Sequence, residues 1–182
     1  MPLKSFIIIN INLNYRKISG GIFMNLEIRE ANMKDYIELN ALVAEVHKLH
    51  VKNRPDVYVD VDIPLGKEYL QEILNSSDTK LFVVENMNNK ELLAYSIVRI
   101  TANRNIQILI PMTFAYIEDF CIKVSQKRNG IGKFLFEYVK DYAKSQGALS
   151  LQLTVWEFNN NAIKFYEAMG MSTRNRRMEL NL

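Results

Sequence analysis

Cysteine is almost absent from this chain, since Cys121 is the single one among 182 residues. One cysteine excludes an internal disulfide, and a chain without disulfides suits the reducing cytoplasm, where we expect the protein to be located. Cys121 stands in an apolar stretch, which favours a small buried strand residue over a reactive thiol. Stability must then come from packing, and a hydrophobic content of 48% at this length predicts one substantial core.

Long apolar runs and an excess of charge are also missing. Phe6 to Ile11 is apolar apart from Asn10 and is too short to span a bilayer, and no small-residue cleavage site follows it before Met24. The net charge of +3 disappears when residues 1–23 are set aside, because they hold three basic residues and no acidic one. A neutral domain lacks the clustered positive charge of a nucleic-acid-binding surface, so we expect neither a membrane nor a nucleic acid as partner.

Helix and strand signals alternate along the rest of the chain and predict one α/β domain. Asn32 can cap a helix with an apolar face, and Pro64 can open a second helix that runs to Leu74. Leu81 to Val84 and Leu92 to Ile100 are predicted strands of a hairpin. A third helix is expected to reach Lys144, and a strand, a helix and a last strand follow it.

The most informative segment is a predicted strand, Tyr116 to Ile122, that leads into a turn and a helix at Lys127 to Lys133. Gly130 and Gly132 allow positive φ and let backbone N–H groups approach a ligand closely. The apolar periodicity of the residues behind them predicts a helix, whose N-terminus adds the positive end of its dipole. With three basic residues beside it, this turn is typical of a pyrophosphate site.

Two common phosphate loops do not fit these residues. A Walker A loop would need Ser or Thr after Lys133, where the chain has Phe134, and a dinucleotide fingerprint would need Gly at Leu135. For Gly130 and Gly132 taken alone, a tight strand-to-helix turn without any ligand therefore stays open.

A second motif lies near the C-terminus. Residues 149–155 alternate as in a strand, Asn159 can cap the helix that follows, Ala162 and Tyr166 share a face of that helix, and Gly170 can end it. Together, Lys-x-x-Gly-x-Gly at 127–132 and Asn-x-x-Ala-x-x-x-Tyr at 159–166 resemble the signature of the GCN5-related N-acetyltransferase family. The two motifs in this order and spacing are far more specific than either one alone.

The resemblance covers nearly all of the chain from Met24 onward and is nearest to the diamine (spermidine/spermine) acetyltransferase branch. That branch carries Tyr-Leu-Glu-Asp-Phe-Phe-Val where this chain has Tyr116 to Ile122. The resemblance implies a mixed, mostly antiparallel sheet flanked by helices, with central strands splayed around acetyl-CoA. It also implies that acetyl-CoA is the cosubstrate, that no metal is needed, and that a small polyamine-like or amino compound is acetylated by direct attack on the thioester. Relatives are often dimers, but the sequence itself is silent on a homodimer.

The family's requirements assign roles to individual residues. Acetyl transfer needs a base for the amine, donors for the developing oxyanion and an acid near the sulfur. Glu118, expected on the opposite sheet face from Ile117 and Asp119, is the candidate base, acting directly or through water, and Tyr166 is the candidate acid. The candidate cofactor-binding residues are Phe120, Cys121 and Ile122 for the pantetheine arm, Lys127, Arg128, Asn129, Gly130, Ile131, Gly132 and Lys133 for the pyrophosphate, and Asn159 and Ala162 for the amide arm.

Each assignment has a structural alternative. Glu118 can be an exposed cross-strand partner, Tyr166 a core aromatic, and Asn159 no more than a helix cap. Lys127 stands where the family prefers Arg or Gln, so we expect a weaker hold on the phosphates through a point charge instead of a planar fork.

The acceptor pocket is harder to predict. His47 and His50 have the i, i+3 spacing of metal ligands, but no third ligand accompanies them, so no metal is expected. Asp56, Asp60 and Asp62 in the following loop can attract a cationic amine or form a solvated acidic loop. An acyl-CoA-binding module without turnover and a protein or peptide N-acetyltransferase stay open as other functions. The presence of a candidate base and a candidate acid favours an enzyme.

The family normally begins its first strand at the position of Met24. Ser19-Gly20-Gly21 can be encoded by a purine-rich sequence resembling a ribosome-binding site, a short distance before the Met24 codon. We therefore predict an N-acetyltransferase domain at 24–182, preceded by an extension at 1–23 that comes from a misassigned start. The alternative is that residues 1–23 add a real strand to the edge of the sheet.

Overall fold

The computed structural model describes residues 14–17, 23–103 and 106–181. Two 3₁₀ turns lie at Met33–Asp35 and Val124–Gln126. The strands are β1 Asn14–Lys17, β2 Phe23–Glu30, β3 Thr79–Asn86, β4 Leu92–Ala102, β5 Thr113–Ile122 and β6 Leu151–Leu153. The helices are α1 Tyr36–Asn53, α2 Lys67–Asn75, α3 Ile131–Ser145 and α4 Asn160–Ala168. Among the described residues, no helix is long and apolar enough to cross a membrane.

The strands form one sheet in the order β1-β2-β3-β4-β5-β6. Neighbours from β1 to β5 are antiparallel, whereas β5 and β6 are parallel and pair only where 115–117 lie opposite 151–153. Beyond Ile117 the pairing of β5 with β6 stops, although β5 continues to Ile122. The predicted mixed sheet, mostly antiparallel and splayed at its centre, is confirmed.

The two faces of the sheet pack against different helices. In β3, Leu81 and Val83 face the cluster formed with α1 and α2, while Phe82 and Val84 face the cluster that contains α3 and α4. This alternation is the period of two that a strand buried on both faces must have. The core therefore lies in two layers, and the split between β5 and β6 opens between them.

The start of the first helix follows the sequence prediction. The Asn32 side chain accepts a hydrogen bond from the Lys34 backbone N–H at 3.0 Å, and the Asp35 carboxylate accepts one from the Asn32 N–H at 2.8 Å. These reciprocal bonds make a capping box, which satisfies backbone donors that a helix N-terminus leaves without partners.

Two predicted boundaries are wrong, and one predicted strand is absent from the described residues. α2 begins at Lys67 after Gly66 and not at Pro64, because the Leu65 carbonyl accepts from the Tyr36 hydroxyl at 3.0 Å and holds the chain in a loop. The predicted strand at 149–155 is shorter, since only Leu151–Leu153 pair with β5. The expected last strand is missing, because residues 171–181 have no regular secondary structure.

Part of the N-terminal extension lies beside the sheet. β1 pairs with β2 from Asn14 opposite Leu26 to Lys17 opposite Phe23, as the edge-strand alternative requires. The apolar stretch Phe6 to Ile11 lies outside the described residues. A native start at Met24 stays a prediction.

A chain that begins at Met24 is expected to fold, bind acetyl-CoA and melt within a few degrees of the full chain. The physical reason is that β1 contributes only four residues at the outer edge of the sheet, while β2 to β6 keep their own pairs. Thermal melts of both chains, with and without acetyl-CoA, measure this. A large loss of stability in the shorter chain would instead make the N-terminal segment an integral part of the fold.

Candidate active site

The site is organised around a β-bulge in β5. Ile97 of β4 lies opposite Asp119 and its neighbour Val98 lies opposite Ile117, so Glu118 is the extra residue of the bulge. A bulge disturbs the alternation of side chains between the two faces. The expectation that Ile117 and Asp119 share a face is therefore wrong. Ile117 packs in the α3 cluster, whereas Asp119 bonds a residue of the α1–α2 cluster.

Glu118 forms an ion pair on the α1–α2 side of the sheet. Its Oε1 lies 2.7 Å from Nη2 of Arg99, whose side chain is 47% exposed. Nε of Arg99 donates to the Thr79 hydroxyl at 3.3 Å, and Tyr69 of α2 lies within electrostatic range of both partners of the ion pair. One oxygen of the predicted base is thus paired with a guanidinium whose position could not be predicted from the sequence.

Asp119 has different partners. The Tyr95 hydroxyl donates to its Oδ2 at 2.5 Å and the Phe120 backbone N–H donates to its Oδ1 at 2.8 Å. Burial raises the pKa of the Asp119 carboxyl, although these two donors and the nearby His50 act to lower it. Sequence reasoning missed Asp119, because its place in the site depends on the bulge and on a tyrosine 24 positions away.

Tyr166 lies on α4 against the aromatic residues of β5 and α3. Its ring centroid is 6.2 Å from that of Phe120, 6.3 Å from that of Phe136 and 5.3 Å from that of Phe165. Burial raises the pKa of the phenol, and the nearby Asp119 raises it further, so the hydroxyl keeps its proton. A phenol that stays protonated is a proton donor, as an acid near sulfur must be.

The Tyr166 hydroxyl is not engaged by another described residue. It has no hydrogen-bond partner in the part of the chain that the structure describes, and the one buried side-chain polar atom without a partner there is Oδ1 of Asn25. The hydroxyl is therefore accessible, while the ring behind it is packed. The ring packs as a core aromatic, which was the alternative raised by the sequence. The hydroxyl has no protein partner within the described ranges and is available for catalysis.

Cys121 does not take part as a nucleophile. Its side chain is buried among the α1–α2 residues, and its Sγ lies 3.5 Å from the Leu42 carbonyl oxygen. Burial raises the pKa of the thiol, and the reactive species is the thiolate. The prediction of a small buried strand residue is confirmed.

The glycine turn leads directly into α3. Gly130 has φ +79° and precedes the helix, and nothing lies within 4 Å of where its side chain would be. Arg128 also has a positive φ, of 65°. Among the described residues, the backbone N–H groups of 128–133 donate to no protein acceptor, which leaves them available to an anion at a helix N-terminus.

Gly132 serves packing and not backbone freedom. Its φ is not positive, and a Cβ built there would lie 3.2 Å from the Phe165 ring and 3.5 Å from the Ile122 side chain. The expectation of a positive φ is therefore wrong for this glycine. Its missing side chain lets α3, α4 and β5 approach each other, and this brings the α4 motif next to the turn.

Asn159 caps α4 as the sequence predicts. Its side-chain oxygen accepts a hydrogen bond from the Ala162 backbone N–H at 3.2 Å. Gly170, with φ +89°, follows the end of the same helix. The Asn-x-x-Ala-x-x-x-Tyr spacing thus has a local structural meaning, since the cap fixes where α4 begins and how Tyr166 enters the site.

Four aromatic rings hold the end of α1 and the loop after it against the segment after β6. His50 stacks on Tyr58 at 4.8 Å, and Trp156 stacks on Phe158 at 5.7 Å. Tyr58 meets Trp156 at 6.1 Å and Phe158 meets His50 at 6.0 Å, both edge to face, which closes the ring of contacts. The Trp156 Nε1–H donates to the Tyr58 hydroxyl at 3.1 Å, and the Arg54 guanidinium lies 4.8 Å above Trp156.

The two histidines of α1 thus have structural partners. Nε2 of His47 donates to the Val59 carbonyl at 2.8 Å, and burial lowers the pKa of His50. Within the described ranges, no cluster of three metal-ligating side chains occurs. Asp56 pairs with Arg54 at 2.7 Å, whereas the carboxylates of Asp60 and Asp62 have no partner among the described residues. Their attraction for an amine stays a prediction.

A sheet that splays beside a turn of uncommitted N–H groups, with an accessible phenol at the split, has the architecture of an acyltransferase. A family profile described as Acetyltransferase (GNAT) family matches residues 43–171. The chain belongs to this family, and the family uses acetyl-CoA as cosubstrate. The finer likeness to the diamine acetyltransferases has no such support.

Three relatives illustrate the similarity. The BH1408 protein from Bacillus halodurans, solved in mutant forms, is 29% identical with a TM-score of 0.83, over 86% of this chain and 99% of that one. Glucosamine-6-phosphate N-acetyltransferase from Arabidopsis thaliana is 20% identical with a TM-score of 0.61, over 86% and 97%, and shares the fold. An uncharacterized N-acetyltransferase from Lactobacillus delbrueckii subsp. lactis is 36% identical over 56 residues, 31% of this chain and 32% of that protein's length.

Proposed function

We propose that this chain transfers the acetyl group of acetyl-CoA to a primary amine of a small molecule, by direct attack of the amine on the thioester. The observation that carries the proposal is the split between β5 and β6, which opens next to the uncommitted N–H groups of 128–133. The split exposes backbone groups of β5 that can bind the pantetheine arm of acetyl-CoA. The turn next to it has the backbone N–H groups that bind a pyrophosphate.

The cosubstrate is assigned to these two surfaces. The backbone of Phe120 to Ile122 holds the pantetheine arm past the point where β6 leaves β5. The turn at 127–133 binds the pyrophosphate with its N–H groups and with exposed basic side chains. Asn159 and Ala162, at the start of α4, are assigned to the amide arm, where the cap bond leaves the amide NH₂ of Asn159 to donate.

The chemistry is assigned to the β5 bulge and to α4. A carboxylate of the bulge, for which the sequence pointed to Glu118, removes the proton of the ammonium, and Tyr166 protonates the leaving thiolate. The accessible hydroxyl and raised pKa of Tyr166 support the acid role. A catalytic pair also favours turnover over silent acyl-CoA binding.

The acceptor is proposed to be a cationic polyamine-like or amino compound. Carboxylates gather on the α1–α2 side of the bulge, where Glu72, Glu118 and Asp119 all lie within electrostatic range of Tyr69. Opposite charges attract an ammonium into a partly desolvated site. Asp60 and Asp62 in the exposed loop add negative charge on the approach. A cytoplasmic location and a homodimer belong to the same proposal, and sedimentation of the purified chain tests the dimer.

Thiol release from acetyl-CoA, measured across polyamines, amino acids, aminoglycosides and peptides, tests the function. We expect turnover with small primary amines and the highest kcat/KM for a polyamine-like compound. Turnover confined to peptides would mean that the acceptor is a peptide and not a small amine. Tight acetyl-CoA binding without turnover on any acceptor would make the chain a binding module.

Gly130→Val is expected to abolish acetyl-CoA binding, because a β-branched residue cannot hold the backbone that presents the N–H groups. Gly147→Val is the matched control, since Gly147 has φ +76° against +79° at Gly130 and equally open space around it. Both variants should lose about 1 to 2 kcal/mol to left-handed strain. Only Gly130→Val should lose the rise in melting temperature that acetyl-CoA produces. Equal protection of both variants by acetyl-CoA would mean that the turn does not bind it.

A further inference from the structure

The β5 bulge carries two adjacent carboxylates with unlike partners. We infer that Asp119, and not Glu118, takes the proton from the acceptor ammonium, and that Tyr95 positions the Asp119 carboxylate for this step. The inference rests on the proposed acetyl transfer and identifies which of the two side chains is its base. In this assignment Asp119 is a catalytic residue, Tyr95 is a positioning residue, and Glu118 with Arg99 shapes the acceptor site.

Glu118 is the poorer choice because of where it points. Its carboxylate pairs with the Arg99 guanidinium at 2.7 Å, a charge-assisted contact that favours the anion. Tyr69 of α2 lies within electrostatic range of both members of this ion pair. Tyr166, the proposed acid, lies within electrostatic range of Asp119. Asp119 thus has no cationic partner to hold its charge among the described residues, and it lies near the proposed acid.

Asp119 keeps its capacity to take a proton, because its partners are neutral. The Tyr95 hydroxyl, which is buried, and the Phe120 N–H hold both oxygens in place without cancelling the charge. Within the described ranges, no lysine or arginine forms an ion pair with Asp119. The charged or titratable groups that face it are His50 from α1, Tyr69 from α2, Tyr95 from β4, Tyr166 from α4 and Cys121 from its own strand.

Burial adds to this capacity. It raises the pKa of the Asp119 carboxyl, and a base works best when its pKa lies near the working pH. Burial also lowers the pKa of His50, so this ring stays neutral and does not pair with the carboxylate as a cation. A buried carboxyl with a raised pKa and no cationic partner suits the role of a base.

The transfer moves one proton to Asp119 and one to the sulfur. Asp119 takes one proton from the ammonium, and the freed lone pair of nitrogen forms the bond to the thioester carbonyl carbon. As the tetrahedral adduct collapses, the C–S bond breaks and the sulfur takes the proton of the Tyr166 hydroxyl. The second nitrogen proton restores Tyr166, and Asp119 releases its proton to solvent. Ammonium and acetyl-CoA thus give an amide, the CoA thiol and one proton.

The test compares Asp119→Asn with Glu118→Gln in thiol release, using the best amine of the panel over a range of pH. Asp119→Asn should lower kcat by about 10² to 10⁴. It should also replace the low-pH limb set by the Asp119 carboxyl with a steady decline over the whole range below the amine pKa, because the residual rate then follows the fraction of neutral amine. Glu118→Gln should lower the rate less and keep the low-pH limb. The inference would be overturned if Glu118→Gln, and not Asp119→Asn, showed the large loss of kcat and the changed low-pH limb. It would also be overturned if Asp119→Asn kept the kcat of the unaltered chain. In both cases the proposed acetyl transfer would still stand. No thiol release by the unaltered chain would overturn the proposed function and this inference with it.

Tyr95→Phe separates positioning from folding. The Tyr95 hydroxyl bond lowers the pKa of Asp119, so its removal raises that pKa. Because the base must be deprotonated, the low-pH limb of kcat/KM should move to higher pH. A purely structural tyrosine would change the melting temperature and leave the limb in place, which would overturn the positioning role. If Asp119→Asn does not fold, the shift in Tyr95→Phe still tests whether Asp119 is the base.

Discussion

Tyr166→Phe is expected to bind acetyl-CoA almost as tightly as the unaltered chain and to turn over about 10² to 10⁴ times more slowly, the usual range for an acid–base group. The substitution removes one oxygen and leaves the ring packed against Phe120, Phe136 and Phe165. The hydroxyl makes no hydrogen bond to another described residue, so its loss costs the fold little. The affinity for acetyl-CoA should therefore stay nearly unchanged while kcat falls.

The measurement is thiol release under saturating acetyl-CoA and amine, beside a thermal melt with and without acetyl-CoA. Tyr138→Phe is the matched control, because Tyr138 of α3 is also partly buried but packs edge-on against Phe82 at 5.0 Å, away from the split. A Tyr166→Phe variant with an unchanged kcat would show that this side chain is a core aromatic and no more.

Arg29→Met is expected to have the largest effect on stability. The Arg29 guanidinium donates twice to Asp35, at 2.7 and 2.8 Å, and once to Glu85 at 2.6 Å, and Lys90 also contacts Glu85 at 3.1 Å. Asp35 and Glu85 are buried, with 8% and 7% exposed. Among the described residues, removing Arg29 leaves the Asp35 carboxylate without a cation and Glu85 with Lys90 alone, which costs about 3 to 5 kcal/mol.

Urea unfolding measures this loss, and Lys80→Met is the control. Lys80 pairs with Glu30 at 3.0 Å at a more exposed position, so breaking that pair should cost about 0 to 1 kcal/mol. Similar losses of unfolding free energy in both variants would mean that the buried network stabilises the fold no more than a surface ion pair does.

The Arg29 network also has a defined pH dependence. Burial acts to raise the pKa of Asp35 and of Glu85, but Arg29, together with the Asn32 N–H at Asp35 and Lys90 at Glu85, outweighs it, and both pKa values are lowered. Groups with lowered pKa values stabilise the folded state above the pKa of the unfolded chain, near about 4, and this stabilisation is lost as pH falls below it. The difference in free energy of unfolding between Arg29→Met and the unaltered chain should therefore become smaller in acid.

Local features of the site could be predicted from sequence. The turn at 127–133 and the Asn159 cap involve residues that are neighbours along the chain, so their spacing alone indicates them. The α1 start follows the same rule, because Asn32 and Asp35 lie within one turn. Such features depend on backbone geometry over a few residues, which residue types determine directly.

The cross-strand partners could not be predicted. Arg99 meets Glu118 and Tyr95 meets Asp119 only because β4 and β5 pair in one register with one bulge. A shift of one residue would move every side chain to the other face, and the sequence does not contain the register in any local pattern. The choice between the two carboxylates therefore needed the structure, as did the packing role of Gly132.

The most direct test of acetyl transfer in the β5–β6 split follows all products of one reaction. The chain is mixed with acetyl-CoA and its best small amine, and the CoA thiol, the N-acetyl amine and the intact protein mass are measured together. Direct attack predicts equal amounts of thiol and N-acetyl amine, a protein that never carries the acetyl group, and both products slowed to the same extent in Tyr166→Phe. Thiol release with an acetylated protein, or tight acetyl-CoA binding without any acetylated amine, would contradict it.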